Sequence, residues 1–111
     1  MRRRTGKMSR YGLCGKLVAR GGKRAQVVGT LRKTFAGAST LDGCLLYLVF
    51  EDAEDMNAIW VTELWTSKEA HDRSLANENV RKAIEQVMPN IDREKMLQAK
   101  LKPLFGVGMP E

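Results

Sequence analysis

Residues 44–50 read CLLYLVF, a run with no strongly polar side chain. It is too short for a stable helix standing alone, and it lacks the alternation of a strand with one face in water. It reads as a strand covered on both faces. A chain containing such a strand has to supply two layers of cover. This one has 111 residues, and a lone domain of that size removes only about two-thirds of its unfolded surface from water. One layer can come from its own helices; a second copy of the chain is an economical source of the other.

The flanking pattern supplies the rest of the architecture. Residues 11–18 alternate loosely and predict a strand. After the Gly21-Gly22 turn, Val28, Leu31 and Phe35 recur at helical spacing, with Ala25 and Val27 beside them, predicting a helix over 24–36 that Gly29 weakens. Gly37 and the Leu41-Asp42-Gly43 turn close that segment. An acidic connection, residues 51–57, leads from the apolar run to a strand over 58–65. Thr66 followed by Glu69 is a capping-box pattern, predicting a short helix to about Ala76. Asn77 caps another, whose stripe is Val80, Ala83, Ile84, Val87 and Met88, with Pro89 as its stop. A last strand is expected over 96–105, then a tail over 106–111. The order β-α-β-β-α-β is that of a ferredoxin-like α+β fold, a four-stranded antiparallel sheet with helices on one face. Its bare face calls for a partner, and a homodimer with the two sheets packed together satisfies it.

Charge does not point to nucleic acid. Five of the six net positive charges are Arg2, Arg3, Arg4, Lys7 and Arg10, ahead of the domain rather than on one of its faces. Residues 1–10 read as a disordered basic leader, and Met8 is a plausible natural start. Binding of nucleic acid through this leader would be lost with its removal and would weaken steeply with salt. No apolar segment is long enough to span a membrane, and no apolar stretch follows the basic residues as in a secretory signal. Cys14 and Cys44 lie in no metal-binding spacing, so no metal is expected. With the third strand between the first and second, the two cysteines stand two strand spacings apart, too far for a disulfide, and are expected as buried free thiols. A cytoplasmic protein is the default.

Three stretches carry a resemblance: YGLCGKLVARGGKR at 11–24, DGCLLYLVFED at 42–52 and AIWVTELWTSKEAHDRSL at 58–75. They resemble the antibiotic biosynthesis monooxygenase family, small dimeric α+β barrel proteins that include quinol monooxygenases. The likeness covers residues 11–105. It implies a homodimer with one pocket per subunit between sheet and helices. It also implies oxidation of a small electron-rich aromatic, of quinol or anthrone type, by molecular oxygen with no metal or flavin cofactor. A haem-degrading branch of the same fold uses an Asn on the first strand and a Trp and a His on later helices. Those positions fall near Gly15, Ser74 and Ile84 here, and none matches. Haem degradation is disfavoured, and His71 is not that branch's ligand.

Chemistry of this kind needs a base, a way to stabilise an anion, and a dry site that admits oxygen. His71, the sole histidine, is the side-chain type best suited to proton abstraction near neutral pH and is the first candidate base, with Glu63 the alternative. Lys16 can stabilise an anion if it points inward. Trp65, Trp60, Tyr47 and Tyr11 can wall a flat substrate. Each has a plainer reading. His71 sits among Glu69, Asp72 and Arg73 and can simply face solvent. Lys16 can be an exposed lysine, Tyr47 a core residue, and Trp65 a structural corner. Glu63 can instead pair with a cation at a dimer interface. Trp60 and Trp65, five positions apart, point to opposite faces of a regular strand, one toward the helices and one toward the interface. The competing function is a non-catalytic small-ligand-binding dimer of the same fold, favoured by an acid/base inventory with a single histidine.

Overall fold

The computed structural model describes residues 9–36 and 41–110. Four strands, β1 (Tyr11–Val18), β2 (Cys44–Glu51), β3 (Ala58–Trp65) and β4 (Leu97–Leu101), form one antiparallel sheet in the order β2-β3-β1-β4. Three helices, α1 (Arg24–Phe35), α2 (Lys68–Ser74) and α3 (Glu78–Val87), cover one of its faces. This is the ferredoxin-like α+β fold expected from the sequence. The expected basic leader and the closing Gly37 lie outside the described residues, apart from Ser9 and Arg10.

Register decides which residues share a face. Leu13 and Tyr47 stand opposite Glu63 on either side of β3, and Tyr11 and Cys44 stand opposite Trp65. A bulge between Cys44 and Leu46 lets Cys44 share a row with Trp65. On this face Ile59 and Val61 join Val27, Leu31 and Val87 in the main core, while Trp65, Leu41, Ala70 and Val80 form a second cluster.

Strand β2 lies at the edge that the expected strand order gives it. Only its Tyr47 and Val49 side packs against the core under the helices. On its other side Leu48 and Phe50 are 42% and 51% exposed within one chain. The uniformly apolar run is therefore covered once, not twice, by its own molecule. The two cysteines are free, as expected, but partly exposed rather than buried.

Two boundaries also differ. The cap of α2 is Ser67, whose hydroxyl accepts from the Ala70 N–H at 3.0 Å. Thr66 cannot cap, because its own N–H still bonds the Gly43 carbonyl at 2.8 Å and holds it in the strand pair. At that crossing Gly43 has φ +85°, and a Cβ there would come within 2.5 Å of the Ala70 Cβ, so glycine lets α2 sit against the start of β2. Strand β4 is five residues long and stops at Leu101 instead of running to Phe105. Its partner ladder ends at Gly12, and Pro103 has no N–H to offer. The cap of α3 is as expected: Asn77 Oδ1 accepts from the N–H groups of Asn79 and Val80 at 2.8 and 3.1 Å.

Candidate functional site

Between the sheet and the helices lies a cavity of about 400 Å³. Its floor is Leu13, Gly15, Leu17, Tyr47, Val61, Glu63 and Trp65, the inward positions of three strands. Helices α2 and α3 bring His71, Ser74, Val80, Ala83 and Ile84 from above, and Met96 and Gln98 border it at the β4 side.

Chemistry concentrates at one end. Trp65 is 1% exposed and donates its indole N–H to Glu63 Oε1 at 2.8 Å. The His71 ring meets the Trp65 ring edge-on, with centroids 5.6 Å apart, and lies 5.4 Å from the Tyr11 ring. Tyr11 backs the imidazole without lining the cavity itself. Asp72 fixes the imidazole from outside. Its Oδ1 lies 3.0 Å from His71 Nδ1, and its Oδ2 holds the Lys68 ammonium at 2.8 Å. The hydrogen bonds from Lys68 and His71 hold the Asp72 carboxyl below its usual range. An ionised carboxylate only accepts, so Nδ1 carries the proton, and in the neutral ring the lone pair is on Nε2.

Burial pushes the Glu63 carboxyl above the usual carboxylate range, against the opposing pull of the Trp65 N–H and of His71. Burial also drives the Tyr47 phenol well above its ordinary value, reinforced by the negative charge at Glu63. Tyr47 thus stays a neutral donor across the physiological range. The Cys44 thiol is raised by burial too, which makes it a poor nucleophile.

Five of the seven residues singled out in the sequence meet here: Glu63, Trp65, His71, Tyr47 and, one layer back, Tyr11. Lys16 and Trp60 do not. They are opposite each other on the bare face of the sheet, with the Lys16 ammonium 5.5 Å from the Trp60 ring centroid. Trp60 donates there to Asp52 Oδ2 at 2.8 Å. Lys16 is therefore no anion stabiliser for this cavity. Glu63 is on the helix side, which overturns the alternative of a cation partner at a sheet-to-sheet interface. Sequence reasoning missed Phe35, Ser74, Met88, Met96 and Gln98 as lining residues. The helical stripe carried a signal for Met88; Met96 and Gln98 required the β1–β4 register.

A family model for antibiotic biosynthesis monooxygenase matches residues 12–86, a span that contains the whole cluster of Tyr47, Glu63, Trp65 and His71. The chain belongs to this family. A Chloroflexus aurantiacus structure, itself assigned to it only provisionally, is 38% identical, with 88% of this chain and 96% of that one covered and a TM-score of 0.78. A Pseudomonas aeruginosa structure at 21% identity covers 90% of this chain and 100% of its own with a TM-score of 0.78. A Nitrosomonas europaea structure at 10% identity covers 92% and 97% with a TM-score of 0.81. The last two speak to the fold alone. No curated protein sequence matches the chain. Gly15, Ser74 and Ile84 all line this cavity.

Proposed function

We propose that the chain is a monooxygenase that oxidises a small electron-rich aromatic, a hydroquinone or anthrone, with molecular oxygen, the substrate supplying all the electrons. The observation that carries this reading is the meeting of Glu63, Tyr47, Trp65 and His71 at one end of a largely apolar cavity. His71 Nε2, presented by Asp72, takes the hydroxyl proton. The imidazolium that forms is stabilised by the nearby Glu63 carboxylate. The Tyr47 hydroxyl donates to the new phenolate. The phenolate passes an electron to oxygen, the two radicals combine at ring carbon, and the O–O bond breaks. One oxygen atom stays on carbon and the other leaves as water. A hydroquinone becomes a hydroxyquinone, the four electrons lost by the ring matching the four taken by oxygen.

The reading includes a homodimer. On the bare face Leu48, Phe50, Leu97 and Leu101 are between 42% and 61% exposed. Apolar surface of this kind on two edge strands favours pairing with a second sheet. No helix among the described residues is long and apolar enough to cross a membrane.

Oxygen uptake with a panel of hydroquinones and anthrones, in buffer stripped of metal and flavin, tests the activity. Turnover that falls at least a hundredfold in a folded His71→Ala protein supports His71 as the base. Turnover kept there but lost in Glu63→Gln moves the base to Glu63. No uptake with any compound, alongside measurable binding, leaves a non-catalytic ligand-binding protein.

A further inference from the structure

The cavity has two unlike ends. Along β1 its floor runs from Leu13, in the Glu63 row, to Leu17, in the Ile59 row. Four residues of strand separate them by roughly 13 Å. The first end carries Glu63, Tyr47 and His71. The far end is Leu17, Leu31, Val87, Met88 and Met96, the last two flexible side chains that adapt to ligands of differing length.

The charge pattern is equally lopsided. No Lys or Arg is among the described residues that line the cavity. Glu63 makes no ion pair with a Lys or Arg among them, and its one hydrogen-bond donor there is the Trp65 indole. A carboxylate held in apolar surroundings acts strongly on any second charge brought beside it. An anionic ligand would add a negative charge beside Glu63 with no Lys or Arg in the lining to receive it. A neutral hydroxyl meets an acceptor at Glu63 or His71 and a donor at Tyr47.

We propose that the cavity selects an uncharged, end-polar aromatic, a hydroquinone or phenol whose hydroxyl lies at Glu63, Tyr47 and His71 and whose alkyl substituent extends toward Leu17, Met88 and Met96, and that Glu63 is the residue that rejects carboxylated analogues. The inference rests on the same cavity as the proposed oxygenase, but on binding rather than turnover.

Anaerobic calorimetric titration reads it directly. The probes are hydroquinone, hexylhydroquinone, and hexylhydroquinone bearing a ring carboxylate, each against wild type and Glu63→Gln. The glutamine keeps an oxygen to accept from Trp65, removes the charge and replaces the second oxygen with an N–H donor. In wild type, hexylhydroquinone binds at least tenfold more tightly than hydroquinone, and the carboxylate costs about a hundredfold in affinity. In Glu63→Gln the carboxylate penalty shrinks to less than tenfold. Equal binding of the neutral and carboxylated compounds to wild type overturns the proposal. So does an unchanged penalty in the variant, no gain from the hexyl chain, or no binding of hexylhydroquinone at all. Should Glu63→Gln fail to fold, Met88→Lys, which puts a cation at the far end, is expected to tighten a probe carboxylated at the tip of its alkyl chain at least tenfold; no gain there counts against the proposed orientation. The selection measured without oxygen uptake upholds this inference while refuting the oxygenase reading.

Discussion

Strand β3 holds two tryptophans, and each donates its indole N–H to a carboxylate at 2.8 Å. The two acids are driven in opposite directions. On the bare face Asp52 also accepts from the backbone N–H groups of Glu54 and Asp55, and these bonds, led by the one from Trp60, bring its carboxyl down to about 2. On the helix face Glu63 has the same indole partner, yet burial outweighs it and the carboxyl rises. One hydrogen bond therefore does not decide how an acid behaves; the water left around it does. The bare face uses its tryptophan to pin a loop, whereas the helix face uses its own to hold a buried acid in a largely apolar cavity.

The largest effect that sets the two faces apart is expected from the tryptophans themselves. Trp65→Ala removes a wholly buried indole and, among the described residues, the one hydrogen-bond donor to Glu63, and is expected to cost about 3–5 kcal/mol of unfolding free energy. Trp60→Ala, at a half-buried position, is expected to cost less than half of that in urea melts of the two variants. Equal losses would erase the contrast.

Phe50→Lys tests what the bare face is for. Its side chain is 51% exposed in the single chain, so the fold is expected to survive with a change within about 1 kcal/mol. Light scattering is expected to show a dimer for the wild type and a monomer for the variant. A dimer of undiminished affinity would place the interface elsewhere.

The pH dependence sharpens the same comparison. Asp52 is depressed in the folded chain, so its contribution is present above the ordinary value of 3.8 and is lost as pH falls toward about 2. Glu63 is raised, so its ionisation opposes folding progressively as pH climbs above 4.5 and through its folded value. Asp52→Asn is then expected to flatten the acid limb of a stability–pH curve, and Glu63→Gln to remove a decline on the rising side and to stabilise the neutral protein. Glu63→Gln that destabilises equally at every pH would show that its ionisation is not what the fold resists.

The smallest effect concerns the turn that brings His71 over the cavity. Ser67→Ala is expected to lose about 1 kcal/mol through the cap, and Thr66→Ala less than about 0.5 kcal/mol. The reverse order in thermal melts would restore Thr66 as the cap.

Much of this was legible before any coordinates. The bounds of β1 and β3 follow from residue type and neighbouring turns, and the five-residue spacing of Trp60 and Trp65 required opposite faces. Which of the two faces inward was not legible, because parity is relative until pairing anchors it. Lys16 and Trp60 fell out of the site for that reason alone. The cap was misplaced by one residue because Thr66 and Ser67 are both good cap types, and the bond from Thr66 N–H to the Gly43 carbonyl separates them. The run at 44–50 called for cover on both faces without naming its source, because an apolar edge open to a partner and a strand buried in its own chain have the same composition. His71 was visible as a side chain, but the role of Asp72 in setting its tautomer depended on geometry.

The bulge between Cys44 and Leu46 makes β2 a strand of two phases. Cys44 and Tyr47 are three positions apart, and uninterrupted alternation would send them to opposite sides of the sheet. The extra residue resets the count, so that the thiol beside Trp65 and the phenol beside Glu63 look into the same interior. It also uncouples the two halves of the strand. Removing one residue at the bulge would leave Tyr47, Val49 and their partners in place while inverting everything upstream, including the glycine against which α2 rests. The position of the imidazole over the cavity is thus tied, through one surplus residue in a neighbouring strand, to an odd-or-even count.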